Sequence, residues 1–447
     1  MIALFTAITY QDYLRAADKP ALAAQAVDRY VASPDFRLAL DASAYFRGEN
    51  PGVARKTVLQ ACKIETRDEN GRRRVRSGTQ DVVGNRIGSG FLFRFITQQN
   101  QYLLSEGVLL PESVRRRLGP GFDAALEQLG ERALLHGVCW GYWNADHLEL
   151  LEAARDARSG FVALLDEMSG EPMVGVQFWQ VAEGKPAYLR LFEPDGVSVL
   201  SRQGGLTTVE KKRPYLLTRG AGIVTGQNYD RLPVVPLYAN SEKRSELTPA
   251  IRAKIDAYDN ILSDFADNLD RANDVYWVLN NFGGTAEDVA ETLEAIRRVK
   301  AVANLSDGTG ASSTAEPRTI EVPYAARQAA LTLLERALYQ DYMALDLREL
   351  TGGSLTNVAI RAAMANLDMK ANRYEWQLHR FMHALLSLLH ADTEEIRFRR
   401  QVIANASETI ADIAAMRGDI DRRTALRLNP YIQAEEIEPL LAADHPA

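Results

Sequence analysis

Two histidines four residues apart, His379 and His383 in HRFMH, are the first residues whose types and spacing suit a reaction. At i and i+4 they share one helix face, as zinc ligands do in metalloproteases, where glutamate follows the first histidine as general base. Arg380 stands in that place. His390 is the nearest third candidate ligand, and packing or partner contact is the expectation for all three. Asp146-His147 and Asp195 have acid–base chemistry, yet no serine or cysteine nucleophile accompanies them in a recognisable context. The glycine pairs (Gly220 and Gly222, Gly283 and Gly284, Gly352 and Gly353) form neither a G-x-x-x-x-G-K-[ST] phosphate loop nor a G-x-G-x-x-G dinucleotide turn, and no G-x-S-x-G elbow occurs. The chain is read as a non-enzyme with no cofactor and no metal.

Aspartates carry the stronger pattern. Residues 249–280 read as one long helix opened by Thr248-Pro249. At 100° per residue, Asp256, Asp259, Asp267, Asp270 and Asp274 fall within roughly 80° of one another. Ile261, Phe265, Leu269, Ala272, Tyr276 and Leu279 take the opposite side, so a packed apolar face and a free acidic face are expected. Only Lys254 and Arg271 balance the stripe, and aspartate is a poor helix former. A solvated polar face is one reading. A channel wall that repels phosphate is the other.

The elements that position these residues form an α+β pattern, predominantly helical. Residues 1–50 read as helices broken at Ser33-Pro34. Residues 64–80 read as an exposed loop or hairpin, whose basic run Arg72, Arg73, Arg74 and Arg76 lacks interleaved aromatics. Helices follow at 85–107 and 121–137, with Gly137 suited to the left-handed position after a helix. From Val138 to Leu237 short apolar runs alternate with turn residues, which predicts antiparallel strands. No βαβα rhythm is present. Helices then run at 249–280, 285–300, 324–350 and 356–391, the second capped by Thr285 with Asp288 at the capping-box position. Residues 303–323 read as a loop or hairpin. A strand-like EEIRFRR, two short helices at 406–417 and 421–428, and a polar acidic tail end the chain.

The 447 residues are 46% hydrophobic and 25% charged, enough for two or three cores. A net charge of −7 argues against tight phosphate binding and leaves transient contact with DNA open. The two cysteines, Cys62 and Cys139, build no disulfide framework, which fits a reducing compartment. The N-terminal MIALFTAITYQDYL lacks a basic region and reads as no signal peptide. No apolar run reaches membrane-span length, so no membrane partner is expected.

Several segments, taken in order over residues 85–435, resemble the portal (head–tail connector) family of tailed bacteriophages. LPVVPLYANSEKRSEL leading into IDAYDNILSD is the strongest, a strand, Asn240, an acidic turn and the long helix. LERALYQDYMALDLRELTGGSLTNVAIRAAMANLDMKANRYE is next. FITQQNQYLLSEGVLL (Tyr102 to Gly107), LLHGVCWGYWNAD and ASETIADIAAMRGDIDRRTALRLNPYIQAEEIE complete the series. The first 80 residues match poorly.

The resemblance implies a portal-like fold that forms a ring, a homododecamer at one capsid vertex, through which double-stranded DNA is packaged and ejected. Residues 1–248 would be the wing, 249–280 the first stem helix, 281–323 the clip, 324–349 the second stem helix, 350–358 the tunnel loop, 359–391 the long wing helix and 392–447 the crown. The stem helices would each span roughly 40 Å at 1.5 Å per residue. The DNA channel would be lined by Asp256, Asp259, Asp267, Asp270 and Asp274, and by Gly352, Gly353, Ser354, Thr356 and Asn357 of the tunnel loop, where Thr356 and Asn357 would contact phosphate without reading bases. Clip residues Glu287, Glu291, Arg297, Arg298 and Lys300 would meet the terminase large subunit and later the head–tail adaptor. Major capsid and scaffolding proteins are the other implied partners. The implied location is the virion, after assembly in the host cytoplasm. The alternative is another phage capsid-associated structural protein without a channel.

Overall fold

The computed structural model describes residues 7–54, 56–67, 73–220, 223–272, 276–280, 314–318, 324–350, 356–400, 405–416 and 418–443. It is an α+β structure of two units, one formed by residues 1–49, 90–252 and 338–447, the other by residues 50–89 and 253–337. The division falls inside two helices, Pro249–Ala272 and Tyr324–Tyr342.

In the first unit, short N-terminal helices are set by their caps. Thr9 and Asp12 form a capping box at Tyr10–Arg15, and Asp18 caps Lys19–Val31. At Pro34–Phe46, Ser33 Oγ accepts from Phe36 N at 3.2 Å and Pro34 opens the helix, as the Ser-Pro break predicted. These helices lie on a six-stranded antiparallel sheet ordered Thr207–Arg213, Gly196–Ser201, Ala187–Glu193, Pro172–Gln180, Ser159–Leu165 and Ala154–Asp156. Successive strand side chains point to opposite faces. Val162 and Leu164 join Tyr30, Phe36 and Phe178 in one core, while Phe161 and Ala163 join Trp140, Phe192 and Tyr215 in another. Burial on both faces explains why FVALL is continuously apolar rather than alternating.

A second sheet orders Val234–Tyr238, Val138–Asn144 and His147–Glu152. The helix Phe122–His136 leads into it through Gly137 at φ +90°, where a Cβ would come within 2.8 Å of the Arg244 backbone. The long helix Asn357–Leu388 packs on Val234–Tyr238 and on the helix Phe91–Leu104. A Cβ at Gly141 would stand 3.0 Å from the Phe381 ring, so glycine on that strand admits the helix.

In the second unit, the basic segment is a hairpin of Thr57–Arg67 and Arg73–Val83 in antiparallel register, with Arg72 outside the described residues. Several helix bounds differ from the sequence reading, and in the first unit the helix read over 85–107 is Phe91–Leu104. The helix over 249–280 stops at Ala272, and Tyr276–Asn280 is a strand paired with Thr314–Arg318. Its YWVLN is aromatic and β-branched, which suits a pleated pair, so Tyr276 and Leu279 do not extend the helix's apolar side. The helix over 324–350 is Tyr324–Tyr342, stopped by Met343 at φ +64° and followed by a 3₁₀ turn at Leu347–Leu350. The two helices are therefore about 36 and 28 Å long at 1.5 Å per residue. The acidic tail is not all coil, since Ala434–Ala443 is helical. The expected helix over 285–300 lies outside the described residues.

Candidate functional site

The aspartate helix buries part of its acidic side rather than leaving it free, while Ile261 and Phe265 on its apolar side are only half-buried, Phe265 against Tyr324. Asp259 and Ser263 are fully buried and Asp267 is 9% exposed, whereas Leu269 on the opposite side is 49% exposed. The partners are residues 50–89 of the same unit. Ser89 N donates to Asp259 Oδ1 at 3.0 Å, Ile87 N to Ser263 Oγ at 3.0 Å, and Asn85 N to Asp267 Oδ1 at 2.7 Å. The spacing has a geometric cause. Two residues of extended chain advance about 6.6 Å and four residues of helix about 6.0 Å, so alternate amides meet side chains at i, i+4 and i+8. The carboxylates satisfy backbone N–H groups that have left the hairpin and have no ladder of their own.

Two side chains complete this ladder. Asn50 Nδ2 donates to Asp259, and the Lys56 ammonium lies 3.3 Å from Asp267 and 2.8 Å from Asp264. Burial pushes the Asp259 carboxyl above its usual range despite the donors at Ser89 and Asn50. Burial also pushes Asp267 up, but the Asn85 N–H and Lys56 outweigh it and hold that carboxyl below the usual value. Asp256 is half-buried, and a Cβ at Gly52 would collide with its carboxylate. The side chains of Asp270 and Asp274 lie outside the described residues, as do Gly352, Gly353 and Ser354 and the clip residues Glu287, Glu291, Arg297, Arg298 and Lys300. Asn50, Lys56, Asn85 and Ser89 were missed by sequence reasoning. One signal was present: Ser263 falls inside the acidic arc, a small hydroxyl residue where a purely repulsive stripe would keep a charge.

In the first unit, the turn singled out at Asn240 is built by that residue's own side chain. Asn240 Oδ1 accepts from Arg244 N at 3.0 Å and Nδ2 donates to Arg244 O at 2.9 Å, with Lys243 at φ +55° between them. The turn sets Glu246 against Lys370 of the long helix at 2.7 Å. The same ammonium donates to Tyr342 O at 2.9 Å and sits 3.2 Å from the Tyr342 ring centroid. Tyr342 in turn stacks on Phe95 and donates its hydroxyl to Gln99 at 2.8 Å. One buried ion pair thus ties together the turn before the aspartate helix, the end of Tyr324–Tyr342, and the long helix.

Thr356 caps the long helix, its Oγ1 accepting from Ala359 N at 3.2 Å. Asn357 turns its side chain to the helix Ala406–Ala415, donating to Thr409 Oγ1 at 3.3 Å and accepting from Asn405 N at 2.8 Å. His379 and His383 do share a face, with ring centroids 6.3 Å apart, but His379 packs edge-on against Phe398. Burial holds His379 below its usual pKa, and the Glu375 carboxylate 3.9 Å away opposes the shift. Among the described residues no group of three His, Cys, Asp or Glu side chains is placed to hold a metal, and no helix is long and apolar enough to cross a membrane.

A family model described as phage portal protein, SPP1 Gp6-like, matches residues 70–445. The chain belongs to that family. It is 24% identical to a portal protein of Clostridium phage phiCD119 over 90% of this chain and 91% of that one. It is 25% identical to the portal protein of Bacillus phage SPP1 over 80% of this chain and 75% of that one. The match takes in the Asn240 turn, the helices Pro249–Ala272 and Tyr324–Tyr342, the long helix and the C-terminal helices. The first 80 residues, poorly matched by motif, overlap the family model from residue 70. Phage portal proteins are structural components of the virion.

Proposed function

We propose that copies of this chain close into a ring, a dodecamer at one capsid vertex, through which double-stranded DNA enters and leaves. The observation that carries this reading is the reach of the portal match, residues 70–445. In this reading residues 1–248 are wing, 249–280 and 324–349 stem, 281–323 clip, 350–358 tunnel loop, 359–391 the long wing helix and 392–447 crown. The half-exposed Leu269 and the 68%-exposed Leu333 on the two stem helices supply apolar surface for neighbouring copies. A closed heterologous ring covers such surface without open-ended growth. With Asp259 and Asp267 occupied by residues 50–89, the repulsive channel wall falls to Asp270, Asp274 and the half-buried Asp256.

The clip, with Glu287, Glu291, Arg297, Arg298 and Lys300, docks the terminase large subunit and then the head–tail adaptor. The wing and crown meet capsid and scaffolding proteins. Deleting residues 303–313, which spares the strand Thr314–Arg318, is expected to leave ring formation intact and to abolish DNA uptake by assembled proheads. Normal uptake by that variant would remove the docking role from the clip.

A further inference from the structure

The N-termini of two helices face each other and share their caps. Asn357, the first residue of Asn357–Leu388, donates its backbone N–H to the Glu408 carboxylate at 2.5 Å. Its side-chain oxygen accepts from Asn405 N at 2.8 Å, at the N-cap of Ala406–Ala415. Its side-chain amide donates to Thr409 Oγ1 at 3.3 Å, and that hydroxyl donates to Asn405 O at 2.9 Å. Asn405 Oδ1 meanwhile accepts from Ser407 N and Glu408 N. Each helix start therefore supplies an acceptor for the other's unsatisfied N–H groups. The positive ends of two helix dipoles would repel, and the Glu408 carboxylate lies between them.

Among the described residues, the shorter helix otherwise meets the helix Arg422–Leu428. Ala406–Ala415 has no buried residue, and Ile410 is 37% exposed. An element attached by polar contacts with little apolar burial opens at low cost. We propose that Ala406–Ala415 is a releasable latch on the first turn of the long helix, closed by Glu408 and Asn357. Opening the latch uncaps the long helix at the residue next to Thr356. In the ring reading this links the crown to the first turn of the long wing helix. That consequence rests on the ring reading, whereas the latch itself does not.

The test is hydrogen exchange in the purified full chain with Glu408→Ala. Exchange is expected to rise at least tenfold in peptides covering residues 356–362 and 405–416, and to stay unchanged in 91–104. Unchanged exchange in both latch segments would overturn the proposal. If Glu408→Ala loosens 91–104 as well, Asn357→Ala decides, since it removes only the side-chain half of the clasp. In that variant, faster exchange confined to 405–416 and the first turn supports the latch, and wild-type exchange there refutes it. Packaging that stays normal while exchange rises as expected would leave the latch standing and count only against the ring consequence drawn from it.

Discussion

Lys370→Ala is expected to destabilise the first unit by about 3–5 kcal/mol, because it strands a buried carboxylate. The side chains of Lys370 and Glu246 are only 14% and 12% exposed. Burial pulls the Lys370 ammonium below its usual pKa, and the Glu246 carboxylate beside it opposes the shift. Among the described residues, removing the cation leaves Glu246 with only Asn240 Nδ2, at 3.3 Å, and it frees the Tyr342 carbonyl and ring face. Urea denaturation measures the loss. Replacing both partners, Lys370→Met with Glu246→Gln, is expected to recover most of it, since no uncompensated charge remains. A loss under about 1 kcal/mol for the single variant would place the pair in a wetter setting than its burial indicates.

Asp267→Lys is expected to be nearly as costly in the second unit, about 4 kcal/mol, and Asp264→Ala nearly silent, about 1 kcal/mol or less. Both carboxylates reach Lys56, at 3.3 and 2.8 Å, but the Asp267 side chain is 10% exposed and that of Asp264 57%. At the exposed site, water replaces the lost partner. At the buried site, a new ammonium would face Lys56 while the Asn85 N–H loses its acceptor. Denaturation of the two variants side by side tests this, and equal losses would contradict the ladder. A channel experiment that places lysines along the stripe must therefore spare Asp267, because a packaging defect there would report unfolding.

These two cases show how far the sequence reaches. The meander over 138–237 was legible because its strands are short, β-rich and separated by turn residues, and the break at Ser33-Pro34 was legible too, whereas the cap made by Thr356 was not, since that residue was read as a phosphate contact. The role of Asn240 was legible as a turn signal, though its service to Glu246 was not. Which side of Pro249–Ala272 is buried could not be read locally. Helical periodicity separates two faces without saying which one packs, and the partners Asn50, Asn85 and Ser89 stand 209, 182 and 170 residues away from the groups they meet. Asn357 shows the same limit. Its residue type suits a phosphate contact, while the structure gives its side chain to Asn405 and Thr409, some fifty residues downstream.

The most direct test of the ring is electron microscopy of the purified full chain, with its solution mass from light scattering. The expected result is closed rings with a central hole wide enough for a duplex and a mass of about twelve subunits. Compact particles without a hole, or an open-ended polymer, would contradict it.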